Sequence, residues 1–457
     1  LTFAAGSYTW NAAISLDNAK GVTLICATKG ACAVSAAGMQ LGMYGTVSGI
    51  NNNLYRISGF VFDGYSGNSQ PIWFYGSGTY TLSKLRIDNN SFTNATDTPA
   101  AIWLGDNSSC MSVYGVIDNN TLTSSHTIKI AEGFSSTTCT PGTNSMGTVN
   151  NLFFEDNTIT VTTMTNAGEG CIDWQGAHAW VWRFNTTTNC LVTSHGVTHG
   201  WGTINSEVYN NTMIVNSGSA AQGFDDGYRL YHHQGAGEMM TFNNTFTKSA
   251  SATWAVDGTI SVMHYRSATP AGAGYGLAGQ CNGSDSNDGN RSGEFGYPCK
   301  RQPGRDPAAK LKPIYAWNNK KSDTGAIVAL TCENHPSETP PPSTCGSHVV
   351  ANRDYYDAVS ITPQTSTSAP FNGTTGMGFG IASRRPSTCT SNTGPDAGNG
   401  GVGYWATDEG NWNGKVGTSQ GRLYRCSATN TWTLHYTPYK YPHPLRVKGG
   451  PTPPVVN

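Results

Sequence analysis

Arg86-Ile87-Asp88-Asn89-Asn90-Ser91-Phe92 decides the fold, because its order of apolar residue, asparagine and apolar residue returns along the chain. An Asn followed by Ser, Thr or Cys and a large apolar residue stands at Asn90-Ser91-Phe92, Asn120-Thr121-Leu122, Asn157-Thr158-Ile159, Asn189-Cys190-Leu191, Asn211-Thr212-Met213 and Asn244-Thr245-Phe246. Three residues earlier stand Ile87, Ile117, Phe154, Thr186, Val208 and Thr241, so one side chain points inward just before a turn and another just after it. The intervals range from 22 to 37 residues while the local chemistry stays constant. A solenoid behaves this way, keeping its corner and varying its loops. Asparagine suits such a corner because it tolerates a left-handed backbone and its amide both donates and accepts. Strands stacked ~4.8 Å apart then predict a ladder of Asn90, Asn120, Asn157, Asn189, Asn211 and Asn244, each bond contributing about 1 kcal/mol net.

Arg56-Ile57-Ser58-Gly59-Phe60-Val61-Phe62 aligns with Arg86–Phe92, but Phe60 holds the ladder position, so the asparagine stack starts one coil later. The expected architecture is all-β, a right-handed parallel β-helix over residues 1–360. A Gly-, Ser- and Asp-rich loop at about 267–312, tied by Cys281 and Cys299, interrupts it before the pattern resumes at Pro313–Asn319. Over 361–457, Gly403-Tyr404-Trp405, Gly421–Cys426 and Thr431–Tyr436 are short alternating segments that predict an antiparallel hairpin cap. The stretch from Pro438 to Pro454 lacks the backbone donors a ladder needs and reads as an extended tail.

Composition points outside the cell. The 457 residues include 55 Gly, 12 Trp and 21 Tyr with only 12% charged residues, a profile of all-β extracellular proteins. A net charge of -1 offers no attraction to nucleic acid or an anionic membrane. No run approaches the ~20 apolar residues of a membrane span. Leu1 already lies in a strand-like segment, so a processed start is expected. Twelve cysteines without a CxxC favour disulfides and an oxidising compartment. Pairing by proximity gives Cys26 with Cys32, Cys110 with Cys139, Cys171 with Cys190, Cys281 with Cys299, Cys332 with Cys345 and Cys389 with Cys426.

The Asn-turn coils, Tyr315-Ala316-Trp317-Asn318-Asn319, Asn352-Arg353-Asp354-Tyr355-Tyr356, and the ending from Gly403-Tyr404-Trp405-Ala406-Thr407-Asp408 through Tyr439-Lys440-Tyr441-Pro442-His443-Pro444-Leu445 resemble secreted bacterial right-handed parallel β-helix proteins of environmental genomes. The resemblance covers nearly the whole chain. It implies fold and export rather than activity, since that broad group includes pectin-type lyases, glycosidases, tailspikes and adhesins.

Candidate chemistry comes from local constellations. Counted from the asparagines of their coils, His178 is eleven residues before Asn189, His199 twelve before Asn211, and His232 and His233 twelve and eleven before Asn244. That alignment predicts a histidine column near Asp173, His195, Asp225, Asp226, Arg229 and Glu238. Stacked imidazoles can hold a divalent metal or serve as acid and base, and they can equally form a structural stack of rings. The pair Asp225 and Asp226, with His199, His233 and Arg229, would carry polysaccharide cleavage by a hydrolase or lyase. Polygalacturonase-type enzymes place a Gly-His-Gly and a basic segment after their Asp pair. Here His195-Gly196 and His199-Gly200 precede the pair, which opposes direct transfer. No acidic cluster typical of a calcium site accompanies Tyr228, Arg229 and Tyr231.

The leading functional expectation is a structural or glycan-contacting role as an adhesin, matrix component or head-to-tail filament subunit. Open β-helix ends and a Pro-rich tail suit repeated, non-closing association. Trp405, Trp412, Trp432 and Tyr436 are candidate glycan contacts, because sugar C–H groups pack on aromatic faces, although the same residues also suit the core of a small cap.

Overall fold

A computed structural model describes residues 1–10, 15–16, 21–36, 42–46, 49–65, 70–77, 79–93, 100–106, 110–124, 128–132, 146–161, 172–175, 179–194, 204–216, 231–233, 236–250, 260–264, 302–306, 310–334, 349–368 and 370–447. The chain winds into a parallel β-helix walled by three sheets of twelve, ten and ten strands. The first sheet precedes the asparagine corner and includes Thr79–Asp88, Cys110–Asp118, Leu152–Glu155, Trp180–Arg183, Ile204–Tyr209, Ala236–Phe242 and Ile314–Trp317. The second follows the corner, with Ser91–Thr93, Thr121–Ser124, Thr158–Val161, Thr186–Thr188, Thr212–Val215 and Thr245–Lys248. The third contains Ile72–Ser77, Ile102–Asp106, Ile128–Glu132, Ile172–Gln175, Val192–Ser194, Tyr231–His233, Ile260–His264 and Leu330–Asn334. Ile57 lies opposite Ile87, and Phe62 opposite Phe92, as the thirty-residue alignment requires.

The ladder runs through Asn90, Asn120, Asn157, Asn185, Asn211, Asn244 and Asn319. Each Oδ1 accepts from both the backbone N–H and the side-chain amide of the asparagine one coil earlier. Asn120 Oδ1, for example, lies 3.0 Å from Asn90 N and 3.1 Å from Asn90 Nδ2. The same amide also satisfies the carbonyl three residues before the corner of the preceding coil, as Asn120 does for Ile87 at 2.8 Å. Phe60 begins the stack by donating its N–H to Asn90 Oδ1 at 3.0 Å.

Two details differ from the sequence reading. Asn185 occupies the rung expected of Asn189, because Thr186 pairs with Thr158 and Thr212. Asn189 sits one turn later and accepts from Asn216 N at 2.8 Å. The local Asn-Cys-Leu match misled because residues 184–191 contain two left-handed corners, at Phe184 and Asn189. The left-handed residue is also not the rung itself but its predecessor: Asn89, Asn119, Asp156, Phe184, Asn210, Asn243 and Asn318 all have φ between 49° and 59°.

Inside the helix, Ile57, Ile87, Ile117, Phe154, Trp182, Val208 and Ala316 share one core with Phe62, Phe92, Leu122, Ile159 and Met213 from the second sheet. Side-chain volumes compensate across it. The coil supplying the buried Trp174, Trp180 and Trp182 carries the small Thr187 on its second sheet, as an interior at crystalline density requires.

The C-terminal unit is a four-stranded sheet of Met377–Gly380, Gly403–Ala406, Arg422–Ala428 and Thr431–Tyr436; its first pair is parallel and the rest antiparallel. It lies along the outer face of the first sheet. A second core forms there between Val116, Phe153, Val181, Tyr209, Met240, Phe242, Tyr315 and Trp317 on the helix and Trp405, Trp412, Leu423 and Tyr436 on the unit. This second core is why Leu152–Glu155, Trp180–Arg183 and Ile314–Trp317 are buried at every position, whereas a strand with one wet face would alternate.

Cys26 pairs with Cys32 and Cys389 with Cys426, each with Cα atoms 5.8 Å apart. Cys190 and Cys332 are disulfide-bonded as well. Cys139, Cys171, Cys281, Cys299 and Cys345 lie outside the described residues, as does most of the 267–312 loop. Among the described residues no helix is long and apolar enough to cross a membrane.

Candidate functional site

The third sheet carries one register row through its coils, partly exposed at Trp73, Trp103 and Thr331 and buried at Thr193 and Ser261. Register aligns Trp73, Trp103, Lys129, Asp173, Thr193, His232, Ser261 and Thr331. The neighbours of Trp73, Ile72 and Phe74, are fully buried in the core, so Trp73 faces outward. Trp73 and Trp103 stack with centroids 5.3 Å apart and planes at 26°, both partly exposed. The Trp73 indole N–H donates to Gly105 O at 3.0 Å, which restrains its ring. A stacked, partly exposed pair of indoles is a surface suited to a ligand with apolar faces.

The histidine column is not continuous through this sheet. His232 is flanked in register by Thr193 and Ser261, and His233 by Ser194 and Val262. Measured from the true rung Asn185, His178 is seven residues away, so it loses the level that Asn189 assigned to it. His178, His195, His199, Asp225, Asp226 and Arg229 lie outside the described residues. Glu238 is described, and it contacts His435 of the C-terminal unit. Among the described residues no group of three His, Cys, Asp or Glu side chains could hold a metal ion.

The aromatic candidates of the C-terminal unit divide. Trp405, Trp412 and Tyr436 are only 3–4% exposed, packed against Phe242, Trp317 and Tyr209, and are core rather than glycan contacts. Trp432 is half-buried, donating its indole N–H to Pro386 O at 2.7 Å.

Sequence reasoning missed an ionic strip on the outer face of the first sheet. Asp88, Asp118, Glu155, Arg183 and Tyr209 occupy one register line, with Arg56, Arg86 and Glu207 on the adjacent one. Arg56 holds Asp88 at 2.7 Å, Arg86 holds Asp118 at 3.0 Å, and the fully buried Arg183 holds Glu155 at 2.5 Å. Burial pushes the Glu155 carboxyl up, but the charges of Arg183 and Arg446 outweigh it and keep the pKa below its ordinary value. Glu207 goes the other way: burial raises it to about 7 despite hydrogen bonds from Tyr436 at 2.5 Å and Gly147 N at 2.8 Å. Gly147 (φ 70°) is required there, since a Cβ would fall 2.1 Å from Thr437 O. The sequence signal for the strip was the recurrence of Arg at Arg56 and Arg86 and of Asp at Asp88 and Asp118, at fixed offsets before the corner.

Residues 435–446 descend this strip as a strap. Arg183 donates to Tyr439 O at 2.6 Å and Lys440 O at 2.7 Å, and Arg86 to Leu445 O at 2.8 Å. Arg446 reaches Glu155 and Asp156 at 2.7 Å and Asp118 at 3.1 Å. The strip is thus consumed in holding the chain to itself, whereas the Trp73–Trp103 stack is partly exposed.

The fold and these faces define a parallel β-solenoid protein with a C-terminal sheet strapped to its side. No family model, no curated protein and no solved structure matches the chain.

Proposed function

We propose that this is a secreted, extracellular β-helix scaffold that contacts an extended glycan along its third sheet. The observation that carries the reading is the outward, partly exposed Trp73–Trp103 stack. Aromatic faces pack against sugar C–H groups, and indoles on two successive coils, strands ~4.8 Å apart, offer adjacent contacts to a repeating polymer. Low charge and disulfides at both ends of the described chain are consistent with an oxidising exterior. The tail reading for filament assembly loses support, because residues 438–446 lie against their own helix. Polysaccharide cleavage rests on Asp225, Asp226, His199, Arg229 and His233, and no observation favours it over contact alone.

Affinity electrophoresis through gels containing neutral and uronate polysaccharides tests the proposal, with Trp73→Ala/Trp103→Ala as control and a melting curve to verify folding. At least one polymer should retard the protein, and the double variant should bind about five- to tenfold more weakly, the loss expected for ~1–1.5 kcal/mol of ring contact. Absence of retardation by every polymer, or equal retardation of the folded variant, overturns it.

A further inference from the structure

The strap has two differently built halves. Through Tyr436 the C-terminal unit is anchored by closely packed aromatic rings, with Trp405 5.0 Å from Phe242 and 4.9 Å from Trp317. Beyond Tyr436 the chain depends on Arg183, Arg86 and Arg446 and on ring contacts of Tyr439, Tyr441 and His443.

His443 sits at the centre of this second half, 1% exposed, its ring 4.9 Å from Phe153. Its Nδ1 accepts the Leu445 N–H at 3.2 Å and so caps the short turn Pro444–Arg446. Its own backbone N–H donates to Glu155 at 3.1 Å. Nε2 is buried and has no partner among the described residues. Of the charges facing the ring, Glu155 alone favours an imidazolium, while Arg183, Arg446 and Arg86 oppose it. Asp118, which Arg446 also holds, lies on the same strip.

We propose that His443 is an acid-sensitive latch: protonating its Nδ1 removes the cap on the Pro444–Arg446 turn and frees residues 437–447 from the first sheet. The neutral ring is the only form that can accept from Leu445. A cation placed there meets three guanidinium groups and one carboxylate in a buried setting. Once the cap opens, Arg446 loses the geometry that joins Asp118, Glu155 and Asp156.

The sign follows from the docked and released rings. Burial first, then the arginines, lower the docked ring to about 3, whereas a released histidine has its ordinary value near 6.5. Docking is therefore unaffected above the released value and is lost progressively as the pH falls below it. Asp118 works against this trend, since burial raises its carboxyl in the docked state. Glu155 works with it, its carboxyl being held low by the arginines.

Hydrogen exchange of the full chain, corrected for intrinsic rates, reads strap protection directly. Between about pH 7.5 and about pH 4.5 the strap-docking constant should fall by up to about 100-fold from the His443 linkage. Peptides covering Arg422–Ala428 should stay protected. Histidine-selective NMR should show the His443 ring protonating together with that loss. His443→Asn keeps an acceptor for Leu445 but cannot titrate, so its strap should remain protected. A wild-type strap that stays protected in acid, a ring that protonates without loss of protection, or a His443→Asn strap that opens as the wild type does overturns the proposal. Should His443→Asn fail to dock even at neutral pH, the wild-type comparison decides: coincident ring protonation and opening supports the latch, and separated events sink it.

Discussion

Asn185 and Asn189 are four residues apart and chemically identical, yet their burial separates their roles. Asn185 is 1% exposed, and its Oδ1 satisfies two donors of Asn157 while its amide satisfies Phe154 O at 3.0 Å. Removing the amide strands those groups in the interior, where an orphaned polar group costs about 1–3 kcal/mol. Asn185→Ala is expected to destabilise the protein by about 3 kcal/mol, and Asn189→Gly, which tolerates the left-handed corner and removes the exposed bond from Asn216, by about 1 kcal/mol or less. Denaturant midpoints of the two variants check this, and equal losses would contradict the rung assignment. The tripeptide found most rungs because Asn, a small polar residue and an inward apolar residue are all demanded within one corner. It failed at Asn189 because a second corner in the same coil satisfies the same local demands, and only pairing with Thr158 and Thr212 distinguishes them.

At the scale of the corner and strap, Phe184 is the exception. Its counterparts before other rungs are Asn89, Asn119, Asp156, Asn210, Asn243 and Asn318, which adopt positive φ readily, whereas a bulky side chain there is disfavoured by roughly 1–2 kcal/mol. Phe184 remains because its ring stacks on Tyr441 of the strap, centroids 3.9 Å apart. Phe184→Asn should relieve the backbone while removing the stack. Global stability should therefore change by only about 1 kcal/mol or less while exchange in residues 437–447 accelerates. A strap as protected as the wild type would show that the stack does not hold it. The exception was visible in the sequence as Phe where Asn recurs, but its partner lies 257 positions away and no local pattern reaches that far.

For the whole molecule, the side-mounted C-terminal unit converts an outer sheet face into a second core and buries ionisable groups that a bare solenoid would leave wet. Glu207 is the clearest case. Its folded pKa of about 7 lies above the ordinary carboxyl value, so its contribution is fully present below about pH 4.5 and is lost as the pH rises through 7. Glu207→Gln should match the wild type near pH 4.5 and exceed it near pH 8, by about 3 kcal/mol at most. Parallel stability profiles for the two proteins from acid to alkaline pH would refute this assignment.

The sequence by itself determined the coil: its corner, the side chains on either side of it, the thirty-residue alignment of Arg56–Phe62 with Arg86–Phe92, and the pairing of Cys26 with Cys32 and Cys389 with Cys426. These are short-range demands, repeated often enough to be read as a pattern. Only the tertiary structure decided what covers the coil. Trp405, Trp412 and Tyr436 belong to a core shared with strands far away in sequence, and Arg183 and Glu155 are buried beneath a strap more than 250 residues downstream. Whether an aromatic or charged residue is core, clamp or contact surface depends on which faces meet, and that is a property of the folded chain.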